Sequence, residues 1–191
     1  MKNRKAYLTF FLVLSFILAW SALLIFVGPR EIVEFIGVEN GYLVAFLVAA
    51  FGGLSSVSSA SFYATLVTLA AGGLDPLLLG LIAGTGITIG DCLFFYLGHT
   101  GGHLITGRLR HFFEYLSRWL QKGPKWFVPV IVFVYAGFTP LPNDILTISL
   151  AMAKIHWQRI ILPLWAGNII LVILIAEAVR HGADRLQELL I

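Results

Sequence analysis

Residues 135–153, YAGFTPLPNDILTISLAMA, constrain the fold more than any other stretch, because Thr139-Pro140-Leu141-Pro142-Asn143-Asp144 interrupts an apolar run at its middle. Each proline lacks an N–H and pushes the residue before it toward an extended conformation, so one continuous helix is excluded. The two arms, residues 126–138 and 145–153, are both shorter than the about 20 helical residues needed to cross a bilayer core. A polar tip between two half-length apolar arms predicts a re-entrant hairpin, which is tolerated at membrane depth only when protein or a water-filled cavity surrounds it. Irregular backbone at that depth is the usual mark of a carrier's binding site.

The composition supplies the membrane context. The chain is 59% hydrophobic and 12% charged, with a mean hydropathy of +0.90, whereas soluble domains are about 25% charged. The net charge of +3 lies in loops between apolar runs, where basic residues set orientation, so no nucleic-acid partner is expected. Cys92 is the only cysteine, which excludes an intrachain disulfide. No nucleophile elbow, zinc-protease helix or phosphate loop occurs, so neither an enzyme nor a cofactor is expected. His99 and His103 have the spacing of helical metal ligands, but Gly101 and Gly102 between them argue against a metal site.

The chain reads as one polytopic membrane domain, 1–191. Residues 1–40 hold an N-terminal span, 7–27, preceded by Lys2, Arg4 and Lys5, and a polar connector. Residues 41–97 form a first hairpin-plus-span unit, with arms at 42–51 and 62–71, a small polar break at 52–61 and a span at 77–97. Residues 98–125 are basic, and Ile105, Leu109, Phe112, Phe113, Leu116, Trp119 and Leu120 recur there at helical spacing, which predicts an amphipathic helix lying on an anionic leaflet. Arg108, Arg110 and Arg118 are its membrane-surface residues. Residues 126–179 form the second hairpin-plus-span unit, with a span at 160–179, and residues 180–191 a charged tail.

If both hairpins re-enter, Lys2, Arg4, Lys5, Arg108, Arg110, Arg118, Lys122, Lys125, Lys154 and Arg159 share the inner side, while only Arg30, Arg180 and Arg185 lie outside. This obeys the positive-inside rule. The predicted fold is therefore an all-α integral membrane protein, an inverted repeat of two re-entrant helical hairpins plus three spanning helices, N-terminus cytoplasmic, in the cell (inner) membrane. Sliding the first unit onto the second places Ser61 on Asp144, Ala70 on Ala153 and Ala83-Gly84 on Ala166-Gly167.

The motif Gly90-Asp91-Cys92-Leu93-Phe94-Phe95-Tyr96-Leu97-Gly98 with Gly101-Gly102, followed later by the Thr139–Asp144 block and Ala166-Gly167-Asn168, resembles the DedA or SNARE-associated Golgi protein (VTT-domain) superfamily over roughly residues 42–179. The resemblance implies a lipid translocator, a flippase for undecaprenyl phosphate or a phospholipid scramblase, with proton coupling in some bacterial members. The chain departs from the pattern: serines and alanine replace the first hairpin's proline and acid, and Gly137 and Asn143 stand where the family carries arginines. The partners so implied are membrane lipids, including anionic lipid or polyprenyl phosphate, protons, and a second copy of the chain.

The residues of the expected pathway are Asp144, Asp91, Asn143, Pro140, Pro142, Thr139, Ser58, Ser59 and Ser61. Asp144 can act as a protonatable group at depth or as an N-cap for the following arm. Asp91 can serve the pathway or pair with a buried polar group. The serine tip can bind an anion through backbone N–H groups or let two backbones approach closely. Two further classes stay open: a membrane protein that does not transport but supports assembly or lipid organisation, and a small-ion secondary transporter.

Overall fold

A computed structural model of the chain describes residues 11, 12, 15, 40–52, 59–102, 106–124, 126–139 and 141–190. Most of the N-terminal span and its connector, the centre of the first break, His103 and Pro140 lie outside the described residues. Seven helices and no strand are present among those described: α1 (Gly41–Gly52), α2 (Ser59–Ala71), α3 (Pro76–Gly101), α4 (Gly107–Lys122), α5 (Phe127–Phe138), α6 (Asn143–Met152) and α7 (Ile161–Leu190). A 3-10 turn, Trp157–Arg159, precedes α7.

Segments Pro76–Gly101 and Ile161–Gly182 are long and apolar enough to cross a membrane. At 1.5 Å per residue, the 26 residues of α3 reach about 39 Å, more than the roughly 30 Å hydrocarbon core. The helix starts where its sequence directs: Pro76 occupies the first turn, and Asp75 Oδ1 accepts the Leu78 N–H at 2.9 Å. Such a cap contributes about 1 kcal/mol. The Asp75 N–H also donates to Tyr42 Oη at 3.0 Å, tying the start of α3 to the start of α1.

α3 and α7 run antiparallel, since Gly80 faces Ile173, Gly84 faces Ile169, and Thr85 meets Trp165. The shorter helices are distributed over this pair by exchange. α1 packs on α3 and α2 on α7, whereas α5 packs on α7 and α6 on α3. One apolar core joins α1, α2, the start of α3 and the later part of α7 around Val48, Leu66, Leu79 and Val172. A second joins α4, α5, α6 and the start of α7 around Leu120, Val132, Leu150 and Leu164.

Two features recur in both halves. A methyl added at Gly86 would meet Phe46 O at 2.7 Å, Ala49 Cβ at 2.9 Å and Ala50 N at 3.1 Å; one at Gly167 would meet Phe133 O at 2.9 Å, Ala136 Cβ at 2.9 Å and Gly137 N at 3.0 Å. α2 and α6 also end alike. Leu74 N–H donates to Leu69 O and Gly73 N–H to Ala70 O at 3.3 and 3.1 Å; Ile155 N–H donates to Leu150 O and Lys154 N–H to Ala151 O at 3.1 and 3.0 Å. Both are Schellman ends, with a left-handed residue at Gly73 (φ 90) and at Lys154 (φ 56).

Several boundaries differ from the sequence reading. α2 begins at Ser59, so Ser59 and Ser61 belong to a helix, because short polar residues are favoured in a first turn. α3 extends through Gly101. The charged tail is helical: α7 continues through Leu190. The amphipathic helix expected within residues 98–125 is α4, Gly107–Lys122, which buries Phe113, Ser117 and Leu120 and exposes Arg108, Arg110, Arg118 and Lys122; Ile105 lies outside the described residues.

Candidate functional site

Near the middle of the α3–α7 crossing lies a cluster of buried polar side chains. Asp91 is 5% exposed, Thr88 5% and Asn168 0%. Asn168 Nδ2 donates to Asp91 Oδ2 at 2.9 Å and to Thr88 Oγ1 at 3.0 Å. Asn143, the first residue of α6, donates through Nδ2 to Asp91 Oδ2 at 3.0 Å and to Asn168 Oδ1 at 2.8 Å. Thr88 Oγ1 in turn donates to Gly84 O at 2.8 Å, which completes its own bonding within α3.

Helical periodicity brings Thr88 and Asp91 to one face of α3 together with Gly84, whose lack of a side chain lets α7 approach that face closely at Ile169. Pro142 starts α6 by terminating the preceding extended segment (φ -60, ψ 127), so Asn143 enters the cluster from a helix start. The tip is pinned from behind. Tyr135 Oη donates to Pro142 O at 3.0 Å, and Thr139 Oγ1 donates to Tyr135 O at 2.6 Å. Leaving a buried carboxylate without donors is costly, and here two amides supply them.

The structure brings Asp91 and Asn143 together, uses Thr139 and Pro142 to shape the tip, and keeps Asp144 outside the amide cluster. Asp144 Oδ1 accepts the Ile145 N–H at 2.9 Å. The N-cap position belongs to Pro142, with no side-chain cap bond, so the N-cap reading of Asp144 is corrected: it stands one residue inside the helix. Ser58 and Pro140 lie outside the described residues, and Ser59 and Ser61 open α2.

Thr88 is absent from the sequence reading, and Asn168 enters it only within the Ala166-Gly167-Asn168 motif, with no role in the pathway. Their signal was available: Thr88 precedes Asp91 by one helical turn, and Asn168 is an amide within an apolar run. What the sequence did not show was that α7 would place Asn168 against them.

The basic helix α4 packs on the end of α6. Ser117 Oγ donates to Ser149 O, which also accepts the Ala153 N–H, and Gln121 Nε2 donates to Ala153 O at the helix end, both at 2.8 Å, so α4 is tied to the last turn of α6. Arg110 Nε bonds Glu114 Oε1 at 2.7 Å, and Arg118 Nε reaches Glu114 O at 3.3 Å. Arg108 is exposed. Among the described residues no group of three or more metal-ligating side chains could hold an ion. Comparison with protein-family models, with curated proteins and with solved structures matches this chain to none.

Proposed function

We propose that the protein is a multi-pass carrier of the cell membrane, not an enzyme, and that it translocates a lipid past the Asp91–Asn143–Asn168 cluster. The observation that carries this reading is a carboxylate buried where two membrane-length helices cross, held by an amide at the start of a half-length helix. Ionisable groups at such depth mark substrate or proton paths. Broken helices meeting near the midplane are where secondary carriers bind. The motif resemblance to the DedA superfamily supplies the lipid as cargo and proton coupling as the means. In this chain an amide, Asn143, takes the place of an arginine of that family and is committed to Asp91.

The two hairpin-plus-span units form, in this reading, an inverted repeat of re-entrant hairpins. The matching contacts of Gly86 and Gly167, the matching ends of α2 and α6, and the antiparallel crossing of α3 and α7 support it. These contacts pair Ala70 with Ala151, a register different from the one that aligns Ala70 with Ala153. In the new register Asp91 corresponds to Val172, Asn168 to Ile87 and Asn143 to Phe62. All three counterparts belong to, or pack on, the first apolar core. The polar triad of the second unit thus has apolar counterparts in the first, so in this reading the second hairpin works while the first anchors.

The test is lipid translocation in reconstituted liposomes, comparing the native protein with Asp91→Asn. Asparagine keeps an acceptor for both amides but removes the charge, so the variant should fold and lose translocation. Full activity in a folded Asp91→Asn protein would refute the carrier reading. A second reading, a membrane-organising protein, is favoured by the exposed Phe112, Tyr115 and Trp119 of α4; it predicts no translocation by either form.

A further inference from the structure

A cavity of ≈ 780 Å³ opens at the far end of α3 from Asp75, lined by His99, Arg110, Glu114, Lys154, His156 and Trp157 among others. This volume lies within the range of ligand clefts, roughly 300–1,000 Å³. None of the residues of the Asp91 cluster lines it. Its walls come from α3, α4, α6 and the connection that leads to the 3-10 turn, and the end of α3 lies close against α6: at Gly98 an added methyl would meet Ala151 Cβ and Ile148 Cα, both at 2.9 Å, and at Gly102 it would meet Met152 Cγ at 3.0 Å.

The lining is divided chemically. Phe95 and Trp157, with ring centroids 4.8 Å apart, join Met152 and Ile155 as an apolar wall. Opposite in character are the cations Arg110 and Lys154 and the two histidines. The one acid, Glu114, is spent on Arg110, whose hydrogen bond holds the carboxyl below its usual range. Among the described residues Arg110 is engaged through Nε alone, which leaves the far edge of its guanidinium for a ligand.

Lys154 is the independent pointer. The equivalent end of α2 uses Gly73 for its left-handed residue, the side chain that adopts this conformation without a steric cost. At the end of α6 a lysine takes that strained position and lines the cavity. The lysine thus brings to the cavity wall a charge that the glycine at the equivalent end of α2 does not supply.

We infer that this cavity is a docking site for the anionic headgroup of a leaflet lipid, separate from the translocation cluster: Arg110 and Lys154 hold the phosphate, and Phe95, Ile155 and Trp157 flank the glycerol and first acyl carbons. The inference rests on the membrane reading above but not on transport. A lipid is favoured over a free anion because the wall is aromatic and apolar, and because exposed Tyr115 and Trp119 on the adjoining α4 suit a membrane–water interface.

The test uses the full chain purified in a nonionic detergent and titrated with water-soluble dihexanoyl phosphatidic acid, dihexanoyl phosphatidylcholine or inorganic phosphate, with tryptophan emission reporting through Trp157. Saturable binding of the phosphatidic acid is expected, at least tenfold tighter than of the other two. Arg110→Gln and Lys154→Gly should each weaken it about tenfold, the size of one charge-assisted contact. Lys154→Gly should at the same time raise the Tm, because glycine relieves the left-handed residue; a lysine that only complements helix ends would lose stability without changing binding. Asp91→Asn should bind normally, so loss of translocation in that variant leaves the docking site standing. Equal binding of phosphatidylcholine, or unchanged affinity in Lys154→Gly, would overturn the proposal, and inorganic phosphate binding as tightly as the lipid would overturn the lipid assignment.

Discussion

Gly86→Ala and Gly167→Ala should destabilise the protein to a similar extent. At both positions the new methyl meets a carbonyl oxygen, a Cβ and a backbone nitrogen at between 2.7 and 3.1 Å. Ordinary carbon contacts need about 3.5–4.0 Å. Two of the three atoms in each set are backbone, so neither site can relax by turning a side chain, and α1 must move from α3, or α5 from α7. Overpacking of this kind costs about 1–3 kcal/mol. Alanine also returns about 1 kcal/mol of helix propensity over glycine. Gly182→Ala isolates that gain, since nothing lies within 4 Å of its added methyl. Measured against Gly182→Ala, each crossing variant should therefore fall by the full 1–3 kcal/mol, which is about 2–12 °C in Tm for a chain of this size. Thermal unfolding in detergent, followed by tryptophan emission, reads the difference. A loss at one glycine and none at the other would refute the equivalence of the two halves, and no loss at either would refute the close crossing itself.

Asn168→Leu removes the donor to Thr88 and one of the two amide donors to Asp91, and should cost about 1–3 kcal/mol for the buried groups left unpaired; thermal unfolding beside Asp91→Asn checks it, and an unchanged Tm would show that the cluster does not hold α7 to α3. In a Cys92→Ser background, Thr106→Cys and Lys154→Cys should react with an impermeant maleimide from one face of the membrane and His181→Cys from the other, because the first two lie at one end of the crossed pair and His181 at the opposite end of α7. Labelling of all three from the same face would exclude α3 and α7 as spans.

The amino-acid sequence by itself determined the helical class, the position of the second break and the amphipathic α4, because each of these follows from local chemistry. Prolines 140 and 142 cannot continue a helix, Asp75-Pro76 starts one, and a stripe of Phe113 and Leu120 among arginines writes the helical period directly. It also identified Asp91 and Asn143 as polar residues out of place in apolar surroundings. Which groups they meet was decided only by tertiary structure. Asn143, Asn168 and Asp91 are far apart in the chain, and apolar runs carry no local record of the helix face that will oppose them. The close crossings at Gly86 and Gly167 were hidden for the same reason: runs of leucine and alanine do not record which helix backbone will approach them. Lys154 shows the limit most plainly, since its left-handed backbone and its place on the cavity wall arise from where α6 ends against α3 and α4, and no property of lysine announces either.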